Sequence, residues 1–266
     1  MEIAGRLVLV TGASSGIGAA TARLAAARGA HVLLLARGRA ALEEVAEGIR
    51  SRGGQATPCP VDLADLAAVA STCAAIGRDI GTPDVIVNNA GAGRWLAVDE
   101  TDPAEAVQMM AVPYFGAFAV TRAFLPAMLA RRSGHVVNVT SPASYFSFAG
   151  AAAYDAARWA MRGFSGALRA DLRGTGIGVT LLVAAKVSST YWENNPGSEA
   201  RVPGISALYP TLTPDEVGRA ILRAVERRRA VVAVPFLFRL TLVLHRLWPW
   251  PVEWIVLRSG WKRPRP

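Results

Sequence analysis

Short, unbroken apolar runs alternate with helix-length segments along this chain, and that alternation limits its fold more than any other feature. Residues 6–11, Arg-Leu-Val-Leu-Val-Thr, and residues 31–36, His-Val-Leu-Leu-Leu-Ala, are continuously apolar rather than apolar at every second position. Strands read this way when helices cover both faces of a parallel sheet. Further strands are expected near 55–59 and at 84–87, 135–140, 177–183 and 230–234. Helices are expected near 15–28, 39–51, 63–78, 102–130 and 152–172. Another starts at Thr213-Pro214-Asp215-Glu216, where Thr213 caps, Pro214 takes the first position and Glu216 the third, and runs into Arg227–Arg229. Repeated strand–helix units predict a doubly wound parallel sheet. With 266 residues, 52% of them hydrophobic, the chain can bury one sizeable core without a second domain.

The turn after the first strand carries the first chemical signal. It reads Thr11-Gly12-Ala13-Ser14-Ser15-Gly16-Ile17-Gly18, between a strand and a helix. Glycines allow a tight turn and close backbone approach to a pyrophosphate, and the helix N-terminus offers its unpaired N–H groups. The expected architecture is therefore Rossmann-like: about seven strands, helices on both faces, and a dinucleotide at the strand ends. The second strand ends in Ala36-Arg37-Gly38-Arg39, with no acidic residue to accept from an adenosine ribose. Arg37 can instead grip a 2′-phosphate through its rigid donor fork. NADP is expected ahead of NAD, with Ser14 as an additional phosphate ligand.

Two residues suggest redox chemistry. Tyr154 and Arg158 lie four apart on an expected helix and share a face. A cation beside a phenol favours the phenolate, and such a tyrosine can exchange the proton that accompanies hydride transfer. Ser141 ends the preceding strand, where its hydroxyl can orient a carbonyl or alcohol oxygen.

These residues together resemble the classical short-chain dehydrogenase/reductase family over roughly residues 5–235. The turn Gly12, Ser14, Ser15, Gly16, Ile17 and Gly18 resembles its cofactor motif, and Asn88-Asn89-Ala90-Gly91 its fourth-strand motif. Asp62 matches the residue that approaches adenine, and Ser141 and Tyr154 match the catalytic serine and tyrosine. The resemblance implies reversible hydride transfer between NAD(P) and an alcohol or carbonyl, in a homo-oligomer. It also assigns Asn89, Ala90, Gly91, Tyr154 and Arg158 to the cofactor side. Three positions depart from the family pattern. Arg158 stands where the family has lysine, keeping the charge on a larger, planar group that does not readily release a proton. Pro113 stands where the family has an asparagine whose main-chain carbonyl holds a relay water. Ala184-Ala185 replaces the Pro-Gly of the loop bordering the nicotinamide. A dinucleotide-binding pseudoenzyme with a scaffold or regulatory role is the alternative these departures raise.

On the substrate side, residues 142–150 form an aromatic loop beside Ser141, and residues 188–210 read as a mobile lid carrying Tyr191 and Trp192. Trp95 adds a third wall. Such a site suits a lipophilic alcohol, ketone or aldehyde.

Charge sets the C-terminus apart. Residues 223–266 hold ten Arg or Lys against two Glu, a net +8, whereas the preceding 222 residues carry only +1. That neutral body argues against nucleic acid, which wants basic groups spread along a groove. Residues 236–266 form an apolar, Trp- and Arg-rich extension with Trp248, Trp250, Trp254 and Trp261 among Arg258, Lys262, Arg263 and Arg265. Residues 236–248 predict an amphipathic helix, and Pro249 and Pro251 are read as helix breakers. The extension packs on the domain, meets another subunit, or rests on a membrane surface; its charges and prolines argue against spanning one. The start of the chain has no secretory pattern, and Cys59 and Cys73 suggest neither a disulfide framework nor a metal site, so a cytoplasmic enzyme is expected.

Overall fold

In a computed structural model, described here for residues 1–91, 93–189, 191–193 and 195–264, seven parallel strands form one sheet in the order β3-β2-β1-β4-β5-β6-β7. The strands are β1 (Leu7–Thr11), β2 (His31–Ala36), β3 (Gln55–Pro60), β4 (Val85–Asn88), β5 (Gly134–Thr140), β6 (Ile177–Ala184) and β7 (Val231–Val234). Every pairing is parallel, and the continuous apolar runs are buried on both faces, Val8, Leu9, Val10 and Leu33 to Leu35 fully. Helices α1 (Gly16–Ala26), α2 (Arg39–Arg50) and α7 (Pro214–Glu226) cover one face. Helices α3 (Leu66–Asp79), α5 (Ala117–Ala130) and α6 (Ala152–Asp171) cover the other. The order reverses where β1 lies between β2 and β4, so the loops after β1 and β4 part and leave a crevice at the strand ends.

Four local differences from the expected elements have physical causes. β4 starts one residue late, because the Asp84 carboxylate accepts from the Leu7 N–H at 3.0 Å and acts as an anchor below the strand. α3 starts at Leu66 because Asp65 caps it, accepting from the N–H groups of Ala67 and Ala68. The long helix expected over 102–130 is α4 (Pro103–Met110) and α5, joined by one wide π-helical turn over Ala111–Gly116 around Pro113. This 28-residue run, Pro103–Ala130, has the length and apolarity to cross a bilayer, but Val120, Phe124 and Met128 are buried beneath the sheet. The fourth difference lies after α8 (Phe236–Leu247). Pro249 and Pro251 do not end the helical structure there. They occupy the first turn of another helix, α9 (Pro249–Ser259), where no intrahelical N–H bond is lost. Of the tail residues named above, Arg265 lies outside the described residues. Cys59 and Cys73 are free thiols, and burial pushes them up to about 11 and about 12.

The carboxyl of Asp155 is buried and incompletely satisfied. Asp155, in the first turn of α6, accepts from the Phe148 N–H at 2.6 Å through Oδ2, while its buried Oδ1 has no partner. Burial pushes the carboxyl up to about 8, the Phe148 bond opposing it. An unfolded aspartate ionises near about 4, so the folded chain holds an extra proton between the two values. Stability should therefore fall as pH rises from about 4 to about 8, and level off above. Asp155→Asn should flatten this slope and gain on the order of a few kcal/mol over wild type at pH 8. Urea midpoints of both proteins from pH 5 to 9 check it; parallel curves would mean that the carboxyl ionises normally in the fold.

Candidate active site

The glycine-rich turn is fastened to the β4 loop by one hydroxyl. Thr11 Oγ1 accepts from the N–H groups of both Asn89 and Ala90, each at 3.0 Å, and the Asn89 amide donates back to the Thr11 carbonyl at 3.1 Å. The closeness demands glycine twice. A Cβ on Gly12, whose φ is +65°, would lie 2.9 Å from Ala90 Cα. One on Gly18 would lie 2.1 Å from the Gly12 carbonyl oxygen. Ser15 precedes α1 without making a side-chain cap, so the first N–H groups of the helix remain open.

A cleft of about 1120 Å³ runs along the strand ends from this turn. Gly12, Ser14, Ser15, Gly16, Ile17, Arg37, Asp62, Asn89, Ala90, Gly91, Ser141, Tyr154 and Arg158 all line it. Of the expected site residues only Gly18 does not; it lies behind the turn, where its missing side chain lets the turn close. Pro113 is buried within its π turn, and its neighbour Val112 lines the cleft. Lys186, Val187 and Ser189 also line it. Ser189 belongs to the expected lid, but no sequence signal marked Lys186 and Val187, because the motif expected there is absent. Despite Ala184-Ala185, that loop is tied down: Leu212 N donates to the Lys186 carbonyl and Ser188 N to the Leu212 carbonyl, both at 2.8 Å.

Ser141 and Tyr154 meet at the centre. The Tyr154 hydroxyl donates to Ser141 Oγ at 3.1 Å, and Ser141 Oγ also accepts from the Ala143 N–H at 3.3 Å. With two donors on its oxygen, Ser141 has its own proton free for a third group in the cleft. Trp95 lies over Tyr154 with ring centroids 5.3 Å apart and stacks on Phe148 at the same distance.

Arg158 does not reach past the phenol as a lysine would. Its Cζ lies 4.6 Å from the centroid of the Tyr154 ring, a cation–π contact. The head fits because residue 91 is glycine, where a Cβ would stand 2.8 Å from an Arg158 nitrogen. Arg158 is only 6% exposed, has no carboxylate partner among the described residues, and its buried Nε has no hydrogen-bond partner. A buried guanidinium left this way is costly unless a polar group in the cleft completes it. The sugar hydroxyls and phosphates of a dinucleotide have the oxygens this requires, so the donor set, the glycine cradle and the open helix terminus fit such a cofactor.

The expected lid is stitched rather than loose. The Tyr191 hydroxyl donates to the Gly93 carbonyl at 2.5 Å, Gly93 N donates to Asn195 Oδ1 at 3.3 Å, and Trp95 N donates to Ser198 Oγ at 2.9 Å. Burial raises Tyr191 above the ordinary phenol range, so it stays protonated and acts as a donor.

Comparison with known proteins agrees with this arrangement. A family model for short chain dehydrogenases matches residues 6–199. The chain is 33% identical over 255 residues to a fatty acyl-CoA reductase of Acinetobacter baylyi, covering 93% of this chain and 82% of that protein. It is 34% identical over 236 residues to dehydrogenase/reductase SDR family member 7B of Bos taurus, covering 86% and 73%. Among solved structures, a metagenomic short-chain oxidoreductase in complex with NADP superposes with a TM-score of 0.73 at 31% identity, over 88% of this chain and 98% of that one. A short-chain dehydrogenase from Streptomyces avermitilis gives a TM-score of 0.80 at 28% identity, over 96% and 97%. A model match across most of the chain, relatives aligned over nearly its full length, and a seven-stranded parallel sheet lead to one conclusion: this chain belongs to the short-chain dehydrogenase/reductase family.

Proposed function

We propose that this protein is an NADP(H)-dependent oxidoreductase that interconverts a lipophilic alcohol and its carbonyl counterpart, with Tyr154 as the acid/base. The hydrogen bond between Tyr154 and Ser141, in a cleft that starts at a glycine-rich turn, carries the reading. Gly12, Ser14, Ser15, Gly16 and Ile17 would hold the pyrophosphate, Asp62 the adenine, and Asn89, Ala90 and Gly91 the adjoining ribose, with Gly18 closing the turn. Tyr154 and Arg158 would hold the nicotinamide ribose. When bound, the dinucleotide supplies or accepts the hydride. Ser141 directs its free proton at the substrate oxygen. During reduction the Tyr154 hydroxyl gives its proton to that oxygen as negative charge builds there, and during oxidation the tyrosinate takes it back. Arg158 keeps a positive charge beside this exchange without joining it as a proton carrier. Aromatic walls and the name of the Acinetobacter relative support a lipophilic substrate.

Two measurements test the chemistry. Arg37 lies exposed at the cleft without an ion-pair partner among the described residues, which supports a 2′-phosphate ligand. NADPH should bind more tightly than NADH by calorimetry, and Arg37→Ala should cut the preference by roughly 10- to 100-fold, the value of a charge-assisted hydrogen bond. Equal affinities in wild type would sink the NADP assignment. Tyr154→Phe should lower kcat on alcohols and ketones, followed at the reduced-nicotinamide band, by about 10²- to 10⁴-fold while NADPH still binds. A wild type that binds NADPH and turns over nothing in a broad screen would instead support the scaffold role.

The surface supports two further readings. Tyr114, Phe115, Phe118 and Phe164 form an aromatic group on the π turn, α5 and α6, with Phe115 and Phe118 exposed, which suits a second copy of the chain. On α8 and α9, Phe236 is 69% and Trp250 75% exposed, among Arg239, Arg246 and Arg258, which suits peripheral contact of a cytoplasmic protein with an anionic lipid surface. The intact protein should sediment with anionic liposomes more than with neutral ones, and less as salt rises. Apolar insertion should leave a part of the binding that salt does not remove, and Trp250→Gln with Trp254→Gln should abolish that part. No lipid binding by the intact protein, with loss of its oligomer in the double variant, would assign this patch to contact between copies.

A further inference from the structure

The cleft does not end at Tyr154. Its lining continues past Phe146 to Ile205, Tyr209, Phe238, Thr241 and Val256, so its far wall is built by the 204–209 turn and by the inner faces of α8 and α9. These walls belong to a core cluster of their own, in which Phe238 is 1% and Val256 4% exposed. Phe146 and Tyr209 each set a ring edge-on to Phe238, with centroids 6.3 and 5.7 Å apart.

This end is uncharged and mostly apolar, with Ser206 beside the Tyr209–Thr241 pair as its polar groups. The hydroxyls of Tyr209 and Thr241 are 2.8 Å apart and satisfy each other. No lining residue there, from Val202 to Tyr209 or on α8 and α9, is charged. The cluster around Trp95 and Tyr154 and the cluster around Phe238 share one side chain, Phe148. The Phe148 backbone is in turn held by Asp155, next to Tyr154 on α6. A ligand that reaches both ends must place one oxygen at Ser141 and Tyr154, pass along Phe148, and present only hydrocarbon beyond it.

We propose that the space between the 204–209 turn and α8–α9 is a binding site for the hydrocarbon tail of the substrate, making this an enzyme of long-chain aliphatic alcohols or their carbonyl forms. The proposal rests on the oxidoreductase reading for the fate of the head group, but the tail site is defined by its own walls. The inner face of α8 holds the tail, and its outer residues Leu240 and Leu244 have no part in it.

The test is calorimetric titration of the full-length protein, loaded with NADP⁺, with 1-alkanols from hexanol to dodecanol, alongside turnover of the same series. Each methylene buried should tighten binding about three- to fourfold until the site is full. Ile205→Trp and Thr241→Trp, on two different elements, should each block the far end. Dodecanol should then lose at least tenfold in affinity while hexanol is unchanged. Leu240→Gln, on the outer face, should alter neither. Melting curves identify any variant that fails to fold, and the other plug then carries the test. No gain with chain length in wild type, or equal losses for hexanol and dodecanol in a folded plug variant, would overturn the tail site. Long alkanols that bind with the expected gain but give no reduced nicotinamide would keep the tail site and defeat the redox reading. Turnover without chain-length dependence would do the reverse.

Discussion

Thr11 sits at the single point where two diverging loops are held together. Its hydroxyl takes the N–H groups of Asn89 and Ala90, and the Asn89 amide returns a bond to its carbonyl. The sheet order parts the loops after β1 and β4, and this exchange prevents the parting from becoming disorder. Each bond contributes about 1 kcal/mol net, and Thr11 at their centre is buried, so losing them together would cost more than any one alone. The glycines follow from this closeness. Gly12 and Gly18 lie where a Cβ would strike backbone, so the turn could not close on any other residue. The crevice at the switch point, the open start of α1 and the approach to Gly91 all depend on it.

The substitution of lysine by arginine at residue 158 is absorbed by the same loop. A lysine head is compact and reaches past a phenol, whereas a guanidinium is flat and covers a ring face. Arg158 takes the second course over Tyr154, and Gly91 leaves the room its head needs. The positive charge therefore stays in the site, although its direction of approach has changed. What is lost is exchange of a proton through residue 158, since arginine stays protonated. The unpartnered Nε makes the site incomplete as protein alone, which is what a surface shaped around a polar cofactor should look like.

Much of this was legible in the sequence because the signals were local. The apolar runs of β1 and β2 named a buried parallel sheet, and Thr213 with Pro214 and Glu216 marked the start of α7 within a residue. The residues that line the turn end of the cleft were legible through the glycine turn and Asn89-Ala90-Gly91. What escaped had non-local causes. A proline reads as a breaker until its position in a turn is known, so Pro249 and Pro251 hid α9. Pro113 signalled a kink but not the wide π turn that accommodates it. The lid from 188 looked loose in composition, yet Tyr191, Asn195 and Ser198 find their partners about a hundred residues away, at Gly93 and Trp95. Lys186 and Val187 reach the cleft just past the end of β6, and nothing in their own neighbourhood announces it.

The C-terminal extension shows how magnitudes separate what holds a segment from what decorates it. Arg263 pairs with Asp99, at 2.6 Å, but that pair is exposed, and exposed pairs contribute about 0–1 kcal/mol. Arg201 lies over Trp261 at 4.5 Å, of similar small worth. Phe238 and Val256 are almost fully buried, and each contributes roughly 1.5–3 kcal/mol through the apolar area it removes from water. Hydrophobic burial therefore fastens α8 and α9 to the domain, and it does so at the wall of the cleft. The same helices leave Phe236, Leu247, Trp248 and Trp250 in the open, where they add nothing to folding. A helix apolar on both sides is stable in water only when both sides are covered. Here the protein covers one side with its own cleft, and the exposed side lies directly behind it.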